Sequence, residues 1–163
     1  MGRGRGFGAE PVVRTLSAFV AASVNGLVRD AILAGPPLSE LAIIAEHAGC
    51  GVAEAATEAG AVREALILAR GEDLLILHAG HVPELAAIEE IGDLAASGQS
   101  GHGWLLRAAP NNLAERFFPR LTPPVGLLAA RRLCEGVGLP SLANLIKATR
   151  AHSARGLRLR EGA

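Results

Sequence analysis

The stretch DLLILHAGH, residues 73–81, decides the fold class of this chain. Its apolar run over 74–77 is continuous, which is typical of a strand whose two faces are both covered by helices. The glycine-containing turn after the run lies where open α/β sheets bind their ligands, just outside the carboxyl ends of the strands. We therefore predict a central strand over 73–79 with a candidate site at its end.

Segments with helical periodicity alternate with short apolar segments on both sides of this stretch. Further strand candidates are LVRDAILA (27–34), CGVAEA (50–55), WLLRA (104–108) and VGLLA (125–129). Between them, apolar residues recur at helical spacing, as over 11–25 and 57–69. This alternation predicts an α/β fold with a mostly parallel sheet between helix layers. The length of 163 residues predicts a single domain over 11–163.

Composition narrows the possible partners and the compartment. Lys and Arg together number 16, as do Asp and Glu, so no net charge attracts the chain to nucleic acid, and self-association is left open. No apolar run approaches the roughly 20 residues of a transmembrane helix, so no such segment is expected. Cys50 and Cys134 are far apart and outside any metal-binding spacing. Two reduced thiols favour a reducing compartment, and we expect a cytoplasmic protein.

The first residues, MGRGRGFGAE, have the composition of a disordered Gly/Arg-rich tail over 1–10. They are poorly suited to a buried strand because the arginines would place unpaired charges in the core.

Three longer segments carry a resemblance to a known family. They are VVRTLSAFVAASVNGLVRDAILAG, EAGAVREALILARGEDLLILHAGHVPE and VGLLAARRLCEGVGLP. The first resembles the first helix and second strand of the GT-A domain of family 2 glycosyltransferases. The second resembles the elements around that family's DXD motif, and the third a late segment before the acceptor-side helix. The resemblance implies a Rossmann-like GT-A fold and transfer of a sugar from a nucleotide-diphosphosugar donor.

The resemblance also says where functional residues should lie, and the family's acids are absent there. The acid after the second strand is replaced by Ala34 and Gly35, and the DXD motif by the run from His78 through Gly80 to His81. These five positions are the implied donor-binding residues. No catalytic residue is identified, the general base of the last helix is missing, and His81 is the one metal candidate. Mg²⁺ or Mn²⁺ is expected only if an active site survives.

The family's first strand has no counterpart here, so the resemblance implies a degenerate or N-terminally truncated member. Two hypotheses for function remain open: a glycosyltransferase-like protein with impaired or lost catalysis, and a non-catalytic α/β interaction module that self-associates. For His78 and His81, either a rebuilt metal or phosphate site that includes His102 or a plain polar loop is compatible with the sequence.

Overall fold

The computed structural model describes residues 9–98, 101–110, 112–118 and 121–161. The helices in these ranges are α1 (Ala9–Ala18), α2 (Val20–Val24), α3 (Ser39–Ala48), α4 (Glu58–Leu68), α5 (Leu85–Ala96), α6 (Leu113–Phe117), α7 (Arg131–Glu135) and α8 (Leu142–Ala148). The strands are β1 (Ile32–Gly35), β2 (Gly51–Glu54), β3 (Asp73–Leu77), β4 (His81–Pro83), β5 (Trp104–Ala108), β6 (Pro124–Ala130) and β7 (His152–Glu161). The prediction of an α/β fold is confirmed.

The sheet is mixed, so the expectation of a mostly parallel sheet is wrong. β1 and β2 form a parallel pair, and the other five strands form a second sheet in the order β3-β6-β5-β7-β4. In that sheet β5 and β7 are parallel and the other neighbouring pairs are antiparallel. Two parallel neighbouring strands must be joined by a crossover element, usually a helix packed on the sheet. The connection between β5 and β6 contains helix α6, which buries none of its residues and so does not pack on the sheet. β6 accordingly returns antiparallel beside β5.

β3 was predicted as a central strand covered on both faces. Its two faces are covered as predicted, but its position in the sheet is not central. Leu75 and Leu77 pack against one apolar cluster, and Leu74 and Ile76 against a second cluster on the opposite face. Both faces are therefore covered, as the continuous apolar run indicates. However, β3 lies at the end of its sheet and pairs only with β6 among the described strands.

Local signals set several helix ends. The Thr57 hydroxyl accepts a hydrogen bond from the Gly60 amide at 3.2 Å and caps α4, as an N-terminal Thr is expected to do. The helix predicted over 11–25 is interrupted at Phe19, which divides it into α1 and α2. Helix α1 begins at Ala9, and the first eight residues of the predicted tail lie outside the described part of the chain.

The core is built from aliphatic side chains, because the chain has few aromatic residues. Leu106, Leu127, Leu145 and Leu159 are fully buried. Strand β6 is buried at every residue from Val125 to its end. It therefore holds β3 and β5 against one another and fixes the position of the turn that follows β3.

Candidate functional site

β1 and β3 start close together, and we infer that their carboxyl ends lie along the same edge of the molecule. The Asp30 carboxylate, just before β1, accepts a hydrogen bond from the Arg70 amide, just before β3, at 2.9 Å. The two strands thus start side by side. Their ends then place Ala34 and Gly35 on one side, and the turn from His78 to His81 on the other, along one edge, which we call the strand-tip edge. Ligands of open α/β sheets bind at such an edge.

The turn after β3 is tight and depends on a glycine. Gly80 has a φ of 94°, a backbone conformation that glycine adopts without strain. The turn brings His78 and His81 together, with the Nδ1 atom of His81 3.3 Å from the His78 carbonyl oxygen. His78 is exposed and His81 is half-buried at the start of β4. Two imidazoles therefore line this part of the strand-tip edge.

Thr15 of α1 holds the same turn from outside. Its hydroxyl accepts a hydrogen bond from the Gly80 amide at 3.0 Å and donates to the Pro11 carbonyl at 3.0 Å, with the His81 carbonyl at 3.4 Å. The Gly80 amide is thereby occupied, so this donor is not free to contact a phosphate. Sequence reasoning did not find Thr15, because 65 residues separate it from Gly80 and no local pattern connects them.

The other half of the edge contains a carboxylate that sequence reasoning also missed. Gly35 is buried and Ala34 is exposed at the end of β1. In the parallel ladder Gly35 is in register with Glu54, the exposed last residue of β2. Glu54 thus lies one strand away from the position where the resemblance leads one to expect an acid. The signal that could have found it was its place at the end of a predicted strand over 50–55.

The residues in the turn do not fit Mg²⁺ or Mn²⁺. Mg²⁺ prefers oxygen ligands, and Mn²⁺ is also suited to carboxylate, carbonyl and water. The turn offers two imidazoles and no carboxylate. Nowhere in the described ranges do three or more His, Cys, Asp or Glu residues gather in a way that could hold a metal ion.

His102 does not join the two histidines of the turn. It precedes β5, which runs in the same direction as β3, so it lies at the opposite end of the sheet from His78. Its ring contacts the rings of Trp104 and His152, with centroids 4.9 Å and 4.6 Å away. A third ligand from His102 is therefore excluded by the topology.

Arg131 also lies at that opposite end, where it supports the start of β3. Its backbone amide donates to the Glu72 carbonyl, and its guanidinium contacts the Ala69 carbonyl and the Glu135 carboxylate. In α8, where the resemblance implies acids, the Asn144 side chain donates to the Leu139 carbonyl at 2.9 Å. Arg131 is thus bonded around the start of β3, and the Asn144 side chain is bonded within the segment that leads into its own helix.

The two thiols are poor nucleophiles at neutral pH. Burial raises the pKa of the Cys134 thiol to about 11, and the neighbouring Glu135 carboxylate adds to the increase. Burial also raises the pKa of Cys50. Because the thiolate is the reactive form, a raised pKa lowers its population. Neither residue lies at the end of β1 or β3.

Comparisons with known proteins establish the fold and nothing finer. No protein-family model and no curated protein matches the sequence. Glucosyl-3-phosphoglycerate synthase from Mycobacterium tuberculosis, solved in complex with phosphoglyceric acid, has a TM-score of 0.64 at 14% identity, over 95% of this chain and 67% of that one. The fold is glycosyltransferase-like. A second solved structure, described as a mycobacterial protein, has a TM-score of 0.62 at 17% identity, over 93% of this chain and 62% of that one.

This likeness confirms the α/β, glycosyltransferase-like fold that the resemblance implied. The chain spans about two thirds of the length of these two solved chains. Along the described ranges, no helix combines the length and the apolar character needed to cross a bilayer.

Proposed function

We propose that this chain is a glycosyltransferase-like protein that binds a nucleotide-diphosphosugar at its strand-tip edge and has impaired or lost transfer activity. The observation that carries the proposal is the composition of that edge. The two strand ends are arranged as in a glycosyltransferase-like fold, yet alanine, glycine and imidazole occupy the positions of the expected acids.

Two histidines and a carboxylate give this edge the means to bind a nucleotide-diphosphosugar. The exposed His78 ring and the half-buried His81 ring lie 3 residues apart on one turn. His78 can donate a hydrogen bond to a phosphate oxygen, and His81 can do so through Nε2 when that nitrogen carries a proton. The exposed Glu54 carboxylate, across β1, can accept hydrogen bonds from the hydroxyls of a ribose or a sugar. Donor binding by these groups requires no metal.

The described residues support catalysis of sugar transfer less well than they support donor binding. A general base contributes roughly 10²–10⁴-fold to a proton-transfer step, and a metal supplies further stabilisation of the leaving diphosphate. The acids that would hold the metal are absent from the turn, and Asn144 of α8 is bonded to the Leu139 carbonyl. We therefore expect binding to persist while turnover is slow or lost.

The proposal is tested by measuring donor binding and transfer separately. One solved neighbour is named as a glucosyl-3-phosphoglycerate synthase, so UDP-glucose and GDP-glucose are the first donors and 3-phosphoglycerate the first acceptor. Isothermal titration with and without Mn²⁺ should give the same affinity in both conditions. Product formation should stay near background. Binding of neither donor, nor of GDP-mannose, would remove the support for a donor site.

A pair of histidine variants locates the site. His81→Ala should weaken donor binding, whereas His47→Ala should not, because His47 is in the last turn of α3, which returns the chain to the start of β2 at the other end. Equal effects of the two substitutions would argue against the strand-tip edge. Turnover that is abolished by His81→Ala would contradict the inference that the transfer machinery has been lost.

One observation favours the alternative hypothesis of a non-catalytic interaction module that self-associates. Among the described strands β3 ends its sheet and pairs with β6 alone, and exposed edges invite pairing with another chain. Light scattering after size exclusion separates the two candidates. A dimer that ignores nucleotides favours the interaction module, and a monomer that binds a nucleotide-sugar favours the donor-binding protein.

A further inference from the structure

Two histidines lie beside each other at the amino ends of the neighbouring strands β5 and β7. His102 precedes β5 and His152 is the first residue of β7. The centroids of their rings are 4.6 Å apart, and the ring planes are inclined by 70°. This end of the sheet is opposite to the turn after β3, because β3 and β5 run in the same direction. The pair is therefore separate from the candidate donor site.

Backbone hydrogen bonds fix the two histidines relative to each other. The Gly103 amide donates to the Thr149 carbonyl at 3.0 Å, and the His152 amide donates to the Gly103 carbonyl at 2.9 Å. Gly103 is buried, and a Cβ atom there would lie 2.6 Å from the Thr149 hydroxyl and 2.8 Å from the Leu127 side chain. The two segments that carry the pair are thus packed closely against each other, and the separation of the two backbones is set.

The ring nitrogens of this pair are available to a ligand. Within the described ranges, no hydrogen bond involves either imidazole. His152 is exposed, and the half-buried His102 ring also contacts the Trp104 ring at 4.9 Å. A neutral imidazole has one nitrogen without a proton, and this nitrogen is the one that can bind a metal ion. The pair therefore offers two metal-binding nitrogens at one place.

The distance between the rings matches two imidazoles that bind one metal ion. A metal–nitrogen bond of about 2.0–2.1 Å, added to roughly 1.1 Å from the nitrogen to the ring centre, puts each centroid about 3.2 Å from the ion. Two such centroids are about 4.5 Å apart when the angle at the ion is 90°, and about 5.2 Å apart at the tetrahedral angle. The observed 4.6 Å is close to the first value. Because His152 is exposed, its ring can turn to direct a nitrogen at the ion.

The surroundings of the pair also favour a cation. Asp73 lines a pocket together with His102, Trp104, Leu94 and Ala95. The last two residues belong to the final turn of α5, where the helix dipole has its negative end. A carboxylate and a helix C-terminus therefore lie beside the His102 ring.

We propose that His102 and His152 bind one divalent transition-metal ion of the Cu²⁺ or Ni²⁺ class, with water in its remaining positions. Imidazole suits these ions, and ligand angles of 90° are typical of their square-planar and tetragonal sites. Structural zinc sites have four protein ligands, so a site with two is open and exchanges its ion with solution. The bound ion joins the starts of β5 and β7, and it stabilises the folded chain because the unfolded chain does not hold the pair together. This inference does not rest on donor binding.

Trp104 provides the measurement, because it is the one tryptophan of the chain and its ring contacts His102. Cu²⁺ and Ni²⁺ quench the fluorescence of an indole that lies close to them. Either ion alone, added at neutral pH to the untagged full chain, should quench Trp104 saturably with one ion bound per chain. The absence of saturable quenching by both ions would overturn the inference.

Two single variants test whether both histidines bind the same ion. His102→Ala and His152→Ala should each raise the Kd at least about tenfold, because the second metal–nitrogen bond is intramolecular once the first has formed. If one substitution abolishes quenching and the other leaves the Kd unchanged, a single histidine binds the ion and the inference is overturned.

The other histidine pair provides the matched control. The double variant His78→Ala, His81→Ala removes two imidazoles from the turn after β3 and should quench as the parent does. A loss of quenching in this variant would place the ion at the strand-tip edge and would overturn the inference.

A third variant keeps the inference testable if His102→Ala fails to fold. His152 is exposed, so His152→Gln should have the circular dichroism spectrum of the parent. Ni²⁺ should raise the Tm of the parent and leave the Tm of His152→Gln unchanged. Electron paramagnetic resonance of bound Cu²⁺ should show coupling to two nitrogens in the parent and to fewer in the variant. Identical spectra of the two proteins would overturn the inference.

Discussion

Gly126 of β6 provides a sharp test of how β3 is positioned. It lies opposite Leu77 in the ladder and is buried. A Cβ atom at this position would overlap the Leu77 side chain and would lie 2.9 Å from the Ile76 carbonyl oxygen and 3.4 Å from the Leu106 Cβ. The Leu77 side chain can rotate away. The Ile76 carbonyl cannot, because alternation places it in the ladder with β6, so the two strands must separate by several tenths of an ångström.

The cost of Gly126→Ala follows from these contacts. Overpacking in a close-packed core typically costs about 1–3 kcal/mol. A Gly-to-Ala change also stabilises by about 0.4–1 kcal/mol because it restricts the unfolded chain. We therefore expect a net loss of about 1–2 kcal/mol in the free energy of unfolding. For a chain of this length the Tm should fall by roughly 2–8 °C. Urea denaturation followed by circular dichroism measures the change.

Gly136 is the matched control because it ends α7 with an ordinary φ of −77° and has open space where its Cβ would lie. Gly136→Ala should leave the free energy of unfolding unchanged or raise it by up to about 1 kcal/mol. If Gly126→Ala is as stable as the parent, the close approach of β3 and β6 at this point is wrong. The same conclusion follows if both substitutions destabilise equally.

Three further outcomes are expected. Thr15→Val removes the acceptor of the Gly80 amide, and loss of about 1 kcal/mol there should speed hydrogen exchange of that amide roughly fivefold, with unchanged exchange contradicting the contact. Burial raises the pKa of Cys134 from 9.0 to about 11, so the unfolded state releases this proton first and stability should fall by about 2–3 kcal/mol between pH 9 and pH 11. Urea titrations of Cys134→Ala should lack this part of the alkaline decline, and a parallel decline would refute the cause. In the native protein at pH 8, Ellman's reagent should label the partly accessible Cys50 well before the fully buried Cys134.

The sequence predicted which faces are buried better than it predicted which strands are neighbours. The run over 74–77 correctly indicates a strand covered on both faces, because side-chain hydrophobicity reports burial directly. It does not report backbone pairing, because N–H and C=O groups are the same in every residue except proline. The periodicity of apolar residues therefore could not predict that β3 lies at the end of its sheet or that β6 pairs antiparallel with its neighbours.

In the candidate site, too, the sequence predicted the local features but not the contacts between distant residues. The turn after β3 was predictable, because glycine after an apolar run is a local signal, and Gly80 has the positive φ that such a turn needs. Thr15 and Glu54 reach the strand-tip edge only through the fold, one by a hydrogen bond across 65 residues and the other by its register with Gly35. No spacing within the sequence encodes either contact.

The place of β3 at the end of its sheet, among the described strands, is unexpected for a strand with two apolar faces, because Leu75 and Leu77 stay half-buried there. Contacts outside the ladder with β6 also hold this strand. The Thr15 hydroxyl accepts from the Gly80 amide in the turn that follows β3, and the Asp30 carboxylate accepts from the Arg70 amide that precedes it. If donor affinity at the strand-tip edge falls in Thr15→Val, the position of the turn sets that affinity. Unchanged affinity in this variant would show that the ladder with β6 is sufficient to hold the turn in place.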